Sequence, residues 1–216
     1  LILMPSGFPA RKLAILFFAP LFFCEGELVQ AGEVKLSVLD VGQGLSVLIQ
    51  TTNHNILFDT GPAIPGGYSA GKNVVNPYLR FSGIKQLDEV IISHPDLDHI
   101  GGFSAVKEAN KIVALFSSVV MKHSKICQAN TSWSHDGVQF KFLWPNGTFS
   151  SKKNNNSCVL QVKTKNSSIL IPGDIEAKAE SRLLREQNLS SSILIAPHHG
   201  SKGSSSKDFI AAVSPK

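Results

Sequence analysis

From Val34 onward the chain alternates short apolar runs with polar or glycine-bearing breaks, and that pattern predicts its elements. VKLSVL (34–39), LSVLIQ (45–50) and NILFD (55–59) are rich in Val, Ile and Leu and are separated by Gly42-Gln43-Gly44 and Asn53-His54-Asn55. Apolar runs of this length between turn residues predict strands. A Gly- and Pro-rich stretch (61–72) reads as loop, DEVIIS (88–93) as another strand, and GGFSAVKEAN (101–110) as a short helix. Weaker strand signals lie at 112–121 and 137–145, where Val138, Phe140 and Phe142 alternate with polar partners. After the polar loop SKKNNNS (151–157), CVLQVKT and SSILIPGD pair as a hairpin across Lys165-Asn166. IEAKAESRLLREQ (175–187) consists of helix formers, with Ile175, Ala179, Leu183 and Leu184 on one face. SSILIAP (191–197) is a last apolar strand. Strands outnumber helices, and helices recur between strand groups, so the pattern predicts an α/β sandwich with sheets inside and helices outside.

The polar residues carry a second pattern. Asp40, Asp59, the group around His94, Asp174 and the pair His198-His199 each fall just beyond the C-terminal end of a predicted strand. Strand-end loops that converge on one edge of a sheet are where scaffolds build sites. The densest cluster, IISHPDLDHIGG (91–102), places His94, Asp96, Asp98 and His99 within six positions. Four such groups cannot share a buried loop without a binding partner to offset their desolvation and repulsion.

Composition narrows the picture. A chain of 216 residues with 43% hydrophobic and 17% charged residues can bury a core, which excludes wholesale disorder. The net charge of +5 favours polyanionic partners only weakly. Cys24, Cys127 and Cys158 are far apart and form no C-x-x-C, so the spacing predicts neither a zinc ribbon nor a disulfide framework, and core packing is the expected role of Cys158. The apolar run Leu13–Phe23, broken by Pro20, is too short to span a bilayer. It is compatible with a signal core, a surface helix or the end of a spanning helix. Arg11 and Lys12 before it favour a cytoplasmic N-terminal side, which sends the rest of the chain outside the cytoplasm. The chain is therefore expected to be a piece of a longer protein, with a membrane-proximal segment at 1–33 and a hydrolase-like domain at 34–216 whose C-terminal edge is truncated.

The candidate chemistry is that of a divalent-metal centre. His94, Asp96, Asp98 and His99, joined by Asp174 and the His198-His199 pair, supply enough ligands for one or two ions. Each has a plainer alternative: Asp174 as the N-cap of the following helix, the two histidines as hydrogen-bonded loop residues, and SKGSSSK (201–207) as a solvated loop.

HPDLDHIGG resembles the H-x-[HD]-x-D-H signature of the metallo-β-lactamase superfamily. Taken with LDVGQGLSVLI, ILFDTGP, NNNSCVLQV, ILIPGDIE and APHHGS, it is similar to the C-terminal hydrolase domain of the ComEC family, membrane channel proteins of bacterial DNA uptake. The resemblance covers roughly 34–215. It implies an αββα sandwich, a divalent-metal site, a role in competence and transformation, and a place in the inner membrane with this domain on the extracytoplasmic side. Carried over, His94, Asp96, Asp98 and His99 match the metal loop, Asp174 the bridging carboxylate and His199 the late ligand, with a swap to His198 left open. Asp59 matches a supporting aspartate, and Asp40 the entry turn in which Gly42 and Gly44 allow close backbone approach.

Two departures from the lactamase pattern bear on activity. Asp96 replaces a histidine, and Asn154, Asn156 and Ser157 stand where another histidine ligand is usual. A site richer in carboxylate is harder, so it should hold a second ion loosely and accept Mn²⁺ or Zn²⁺, with Mg²⁺ also tolerated. The expectation is a phosphodiesterase acting on DNA, single-stranded for preference, alongside other channel components. Asp98 and His198 are its candidate catalytic residues, and Ser201 and Lys202 would contact substrate. The alternatives are a superfamily hydrolase of a small ester, such as phosphorylcholine or a lactone, and a channel module that only grips DNA.

Overall fold

The computed structural model describes residues 28–147 and 152–216, so the apolar segment at 13–23 and the membrane expectations attached to it lie outside the described residues. Among those described, no helix is long and apolar enough to cross a membrane.

Two sheets form the centre. The first has six strands in the order β1 (Lys35–Val38), β2 (Val47–Gln50), β3 (Asn55–Phe58), β4 (Gln86–Ile92), β5 (Lys111–Ser117) and β6 (Ser124–Ile126). β1 to β3 run antiparallel as a meander; β3 to β6 run parallel. Parallel neighbours need crossovers. A π-helical turn (Gly71–Val75) leading into α1 (Asn76–Phe81) connects β3 to β4, while α2 (Leu97–Ile100) and α3 (Phe103–Ala109) connect β4 to β5. The second sheet orders its strands as β11 (Ile193–Leu194), β10 (Ser168–Ile171), β9 (Val159–Lys163), β8 (Val138–Trp144) and β7 (Ser132–His135). It is antiparallel except for β10 with β11. Helices α4 (Ala177–Glu186) and α5 (Lys207–Val213) complete the set.

The side-chain period of two explains the layering. Val47, Ile49, Ile56 and Phe58 point into the gap between the sheets, where they meet Phe140, Phe142, Leu160 and Val162. Their neighbours Leu48 and Leu57 point the other way, onto Val75, Leu79 and Val106 of the first helical layer. A strand buried on both faces reads as a continuous apolar run, which is how β2, β3 and the end of β4 (Val90–Ile92) look in the sequence. On the far side, Leu170 and Val159 pack against Ile175, Ala179, Leu183, Phe209 and Val213, so α4 and α5 cover the second sheet. The order is helix, sheet, sheet, helix, as the pattern predicted. Phe142, fully buried between the sheets, anchors the middle core; truncation to Ala there costs ~3–5 kcal/mol.

Several local readings change. Residues 71–81 are helical, although Gly71 and Pro77 read as breakers; Pro77 sits in the first turn, where its missing N–H is not needed. β7 escaped notice because only Trp133 of its first three residues faces the core. The run 112–121 ends as a strand at Ser117, and only Ile193 and Leu194 of 191–197 pair. The cysteine expectation is also corrected: Cys127 and Cys158 form a disulfide across 31 residues. Cys127 follows β6 and Cys158 precedes β9, so the bond ties the two sheets together inside the shared core. Sequence spacing hid the pair because the sandwich, not the local chain, brings them together.

Candidate metal centre

Because β3 and β4 are parallel neighbours, their C-terminal ends lie side by side. Asp59 follows one and Ser93-His94 the other. β10 and β11 of the second sheet, also parallel, deliver Asp174 and the turn Pro197–Gly200 to the same edge. The site is thus assembled from the ends of both sheets.

Four residues converge. One ligand atom each from Asp98, His99, Asp174 and His199 lies within 4.8 Å of all the others. His99 Nε2 is 3.0 Å from His199 Nε2 and 3.2 Å from Asp174 Oδ1, and His199 Nε2 stands 3.5 Å from both Asp98 Oδ2 and Asp174 Oδ2. Two imidazole nitrogens facing each other with two carboxylates around them suit a divalent cation, since each atom offers a lone pair to the same point. His99 and Asp174 are buried, whereas Asp98 and His199 are partly open to solvent.

The loops that hold these side chains are tightly packed. Gly44, in the turn after β1, lies against the metal loop so closely that a Cβ would collide with the Asp98 carbonyl oxygen. That carbonyl accepts the Leu45 N–H at 3.2 Å. Asp59 adopts a positive φ of 58°, which turns its carboxylate back under the loop. Its Oδ1 accepts the Ser93 N–H at 2.7 Å; its Oδ2 accepts the Ser93 hydroxyl at 2.6 Å and the Nδ1–H of His99 at 2.7 Å. With Nδ1 so occupied, Nε2 is the nitrogen left for the site. Burial alone would lower the pKa of His99, but Asp59 and Asp174 outweigh it and raise it to about 10, so a cation at Nε2 would take the place of a proton there. Burial opposes ionisation of Asp174 as well, yet His199 and His99 hold its carboxyl below the usual range.

His94 and Asp96 stand to one side of this group. His94 Nε2 is buried without a hydrogen-bond partner, 3.7 Å from Asp96 Oδ2 and 3.9 Å from Asp174 Oδ2. Burial, then the neighbouring His99, lower its pKa. Asp96 also faces Lys153, whose Nζ is 3.8 Å from its Oδ1. His198 and His199 both have left-handed backbone, with φ of 49° and 50°. His199 joins the four-residue group; His198 Nε2 lies 3.8 Å from Asp174 Oδ2 and 3.4 Å from Asn154 Nδ2. Asp174 does not cap a helix, since α4 starts at Ala177 with Glu176 in the cap position.

The remaining candidates have supporting places. Ser157 Oγ donates to the Asn154 carbonyl at 2.7 Å and accepts the Asp174 N–H at 3.2 Å. Asn156 closes the same turn through its N–H to the Lys153 carbonyl. Asp40 is exposed and accepts the Gly42 N–H at 3.2 Å, so it shapes the turn that carries Gly44. Ser201 N–H bonds the His198 carbonyl, and Lys202 is exposed. The stretch 201–206 is not simply a solvated loop. Gly203 O accepts the Ala177 N–H, and the buried carboxylate of Glu180 accepts the N–H groups of Ser205 and Ser206 at 2.6 and 2.9 Å. Glu180 was not legible, because a glutamate in a helix former run reads as surface. Asn155 was missed too: its Oδ1 accepts the Glu176 N–H at 3.0 Å and its carbonyl accepts the Trp144 Nε1–H at 2.8 Å, locking the loop beside Asp174.

Residues 39–216 match the model of the metallo-β-lactamase superfamily. The chain belongs to that superfamily. A β-lactamase from Chitinophaga pinensis shares the fold with a TM-score of 0.59 at 13% identity, covering 87% of this chain and 89% of that one. Among curated proteins, the chain is 38% identical to competence protein ComA of Neisseria gonorrhoeae over 219 residues, which is 100% of this chain and 31% of that protein. It is 38% identical to YcaI of Escherichia coli (85% of this chain, 24% of that protein) and 29% identical to ComE operon protein 3 of Bacillus subtilis (100% and 30%). This metallo-β-lactamase domain therefore matches competence proteins while spanning less than a third of their length. Superfamily membership makes a metal-dependent hydrolase of it, and the Asp98, His99, Asp174 and His199 group fits the metal.

Proposed function

We propose that the chain is the phosphodiesterase domain of a ComEC-like DNA-uptake protein, cutting DNA with a divalent cation held by Asp98, His99, Asp174 and His199. The observation that carries this reading is the ligand set: two carboxylates against two imidazoles, with Asp96 and asparagines where lactamases use histidine. Such a site is hard enough for Mn²⁺ as well as Zn²⁺, with Mg²⁺ tolerated, and oxygen-rich sites suit phosphoesters. When bound, the cation supplies Lewis acidity that makes water nucleophilic at neutral pH and offsets charge on phosphate.

The chain's own residues set the rest. Asp59 holds His99 in the tautomer that leaves Nε2 free, and Ser157 fixes the backbone of Asp174. His94 and Asp96 form a weaker second position beside Asp174. His198, partly exposed and close to Asp174, is placed to pass a proton to the leaving oxygen. Ser201, whose N–H bonds the His198 carbonyl, and its neighbour Lys202 would contact the phosphodiester. The similarity to competence proteins supports a place in a membrane protein of DNA uptake, and the Cys127–Cys158 disulfide supports an extracytoplasmic, oxidising side. The direct test is cleavage of a labelled oligonucleotide with Mn²⁺. Asp98→Ala and chelation should each abolish it; cleavage that survives either one rejects the reading.

A further inference from the structure

Between α3 and β5 the first helical layer leaves a cleft of about 350 Å³. Its floor is apolar. Leu115 is buried and belongs to the core beneath the helices, while Val113, two positions earlier on the same face of the strand, is 60% exposed. Phe103 of α3 and Ile112, both half-buried, complete the apolar lining. A valine on the helix-covered face of a strand normally finds a partner above it; here the space above is the cleft. The mouth is basic. Lys107, one turn along α3 from Phe103, and Lys122, on the turn before β6, both line it, with His123 beside Lys122. That turn is closed by the Met121 N–H to Ser124 Oγ bond and the Ser124 N–H to Met121 O bond, each 3.0 Å. No acidic side chain lines the cleft, and among the described residues neither lysine has an ion-pair partner.

We infer that this cleft binds a single-chain anionic amphiphile, a fatty-acid-like carboxylate, with its aliphatic chain along Val113, Leu115, Ile112 and Phe103 and its head group between Lys107 and Lys122. The volume falls in the range of small-molecule sites, which typically combine an apolar lining with a few converging polar groups. At ~30 Å³ per methylene, about the share of one water molecule, the cleft takes a chain of roughly eight to ten carbons. The two halves of the lining exclude other occupants. The lysines repel a cation, a sugar or a nucleic-acid backbone leaves the floor uncovered, and a neutral alkane leaves the lysines without a counter-charge. A ligand with an acidic end and an apolar body uses both halves. None of these residues belongs to the metal group, so binding here is independent of the phosphodiesterase reading.

The test is calorimetric titration of the 216-residue chain with hexanoate, octanoate, decanoate and dodecanoate, each kept below its micelle concentration. Decanol and decyltrimethylammonium serve as neutral and cationic controls. One site per chain is expected, tightening about threefold with each added methylene until the cleft is filled and levelling off beyond, because further carbons reach water. Decanol should bind about fivefold more weakly than decanoate, and the ammonium should not bind. Lys107→Ala with Lys122→Ala should weaken decanoate about fivefold and leave decanol unchanged. Val113→Asp should abolish decanoate binding. All three side chains are exposed, so the circular dichroism spectrum and Tm of both variants should match the unmodified chain. No binding of decanoate, equal binding of decanoate and the ammonium, or undiminished binding by both variants overturns the inference. Vesicle binding that needs Val113, without uptake of free decanoate, overturns it in favour of a bilayer surface. A dimer that Val113→Asp splits into monomers, again without uptake of decanoate, overturns it in favour of a second copy of the chain.

Discussion

Asp59 Oδ2 accepts the Nδ1–H of His99 at 2.7 Å, and neither side chain is exposed to solvent. A histidine held this way cannot rotate or change tautomer, and the negative charge behind it makes Nε2 more basic. Asp59→Asn keeps the size and removes the charge. Its affinity for Mn²⁺ or Zn²⁺ is expected to fall ~10–100-fold, read by calorimetric titration against a competing chelator. Unchanged affinity would show that the aspartate serves only the backbone of Ser93.

Ser157 offers a subtler test of the same centre. Its hydroxyl accepts the buried Asp174 N–H. Ser157→Ala strips that N–H of its acceptor, at ~1–3 kcal/mol in urea unfolding. The loss should be accompanied by weaker metal binding, since the carboxylate of Asp174 is positioned by the same backbone.

The Cys127–Cys158 bond closes a 31-residue separation within the core. Chain-entropy arguments put its contribution at ~3–4 kcal/mol. Reduction in denaturant, or Cys127→Ser with Cys158→Ser, should move the urea midpoint down accordingly. A midpoint that does not respond to reductant means that the inter-sheet core needs no covalent help.

At the opposite end of the sandwich, Asp136 accepts hydrogen bonds from Thr51 Oγ1 at 2.6 Å, from the Asn53 N–H at 2.8 Å and from Asn53 Nδ2 at 2.9 Å, with His54 Nδ1 at 3.0 Å. The Thr51 hydroxyl first, then His54 and Asn53, hold its carboxyl below the usual range. A depressed folded pKa contributes stability above the unfolded carboxyl value, and that contribution is lost as pH falls through the folded one. Wild type should therefore exceed Asp136→Asn in Tm at neutral pH, and the gap should close as the pH is taken below 4. A gap that persists in acid would point to shape rather than charge.

Much of this was legible from residue order. The short apolar runs of β2, β3 and the end of β4 announced strands, and the ligand-type residues stood out because each followed a strand end. What stayed hidden depends on distance in the chain. Cys127 and Cys158 meet only after the two sheets stack, Asn155 looked like one of three equal asparagines, and Glu180 carried no mark of its buried role. The helical stretch at 71–81 was masked by Gly71, which opens it, and by Pro77, which falls in the first turn of α1. The exposure of Leu97 is a property of the folded loop alone.

Asp98 and His99 come from one half of the sandwich and Asp174 and His199 from the other, so their convergence is sensitive to any sliding of one sheet over the other. Cys127–Cys158 near one end and the Asp136 contacts at the other act as two rivets against such shear. Loop sequences around the mouth can then diversify to suit new substrates without loosening the geometry of the chemistry beneath them.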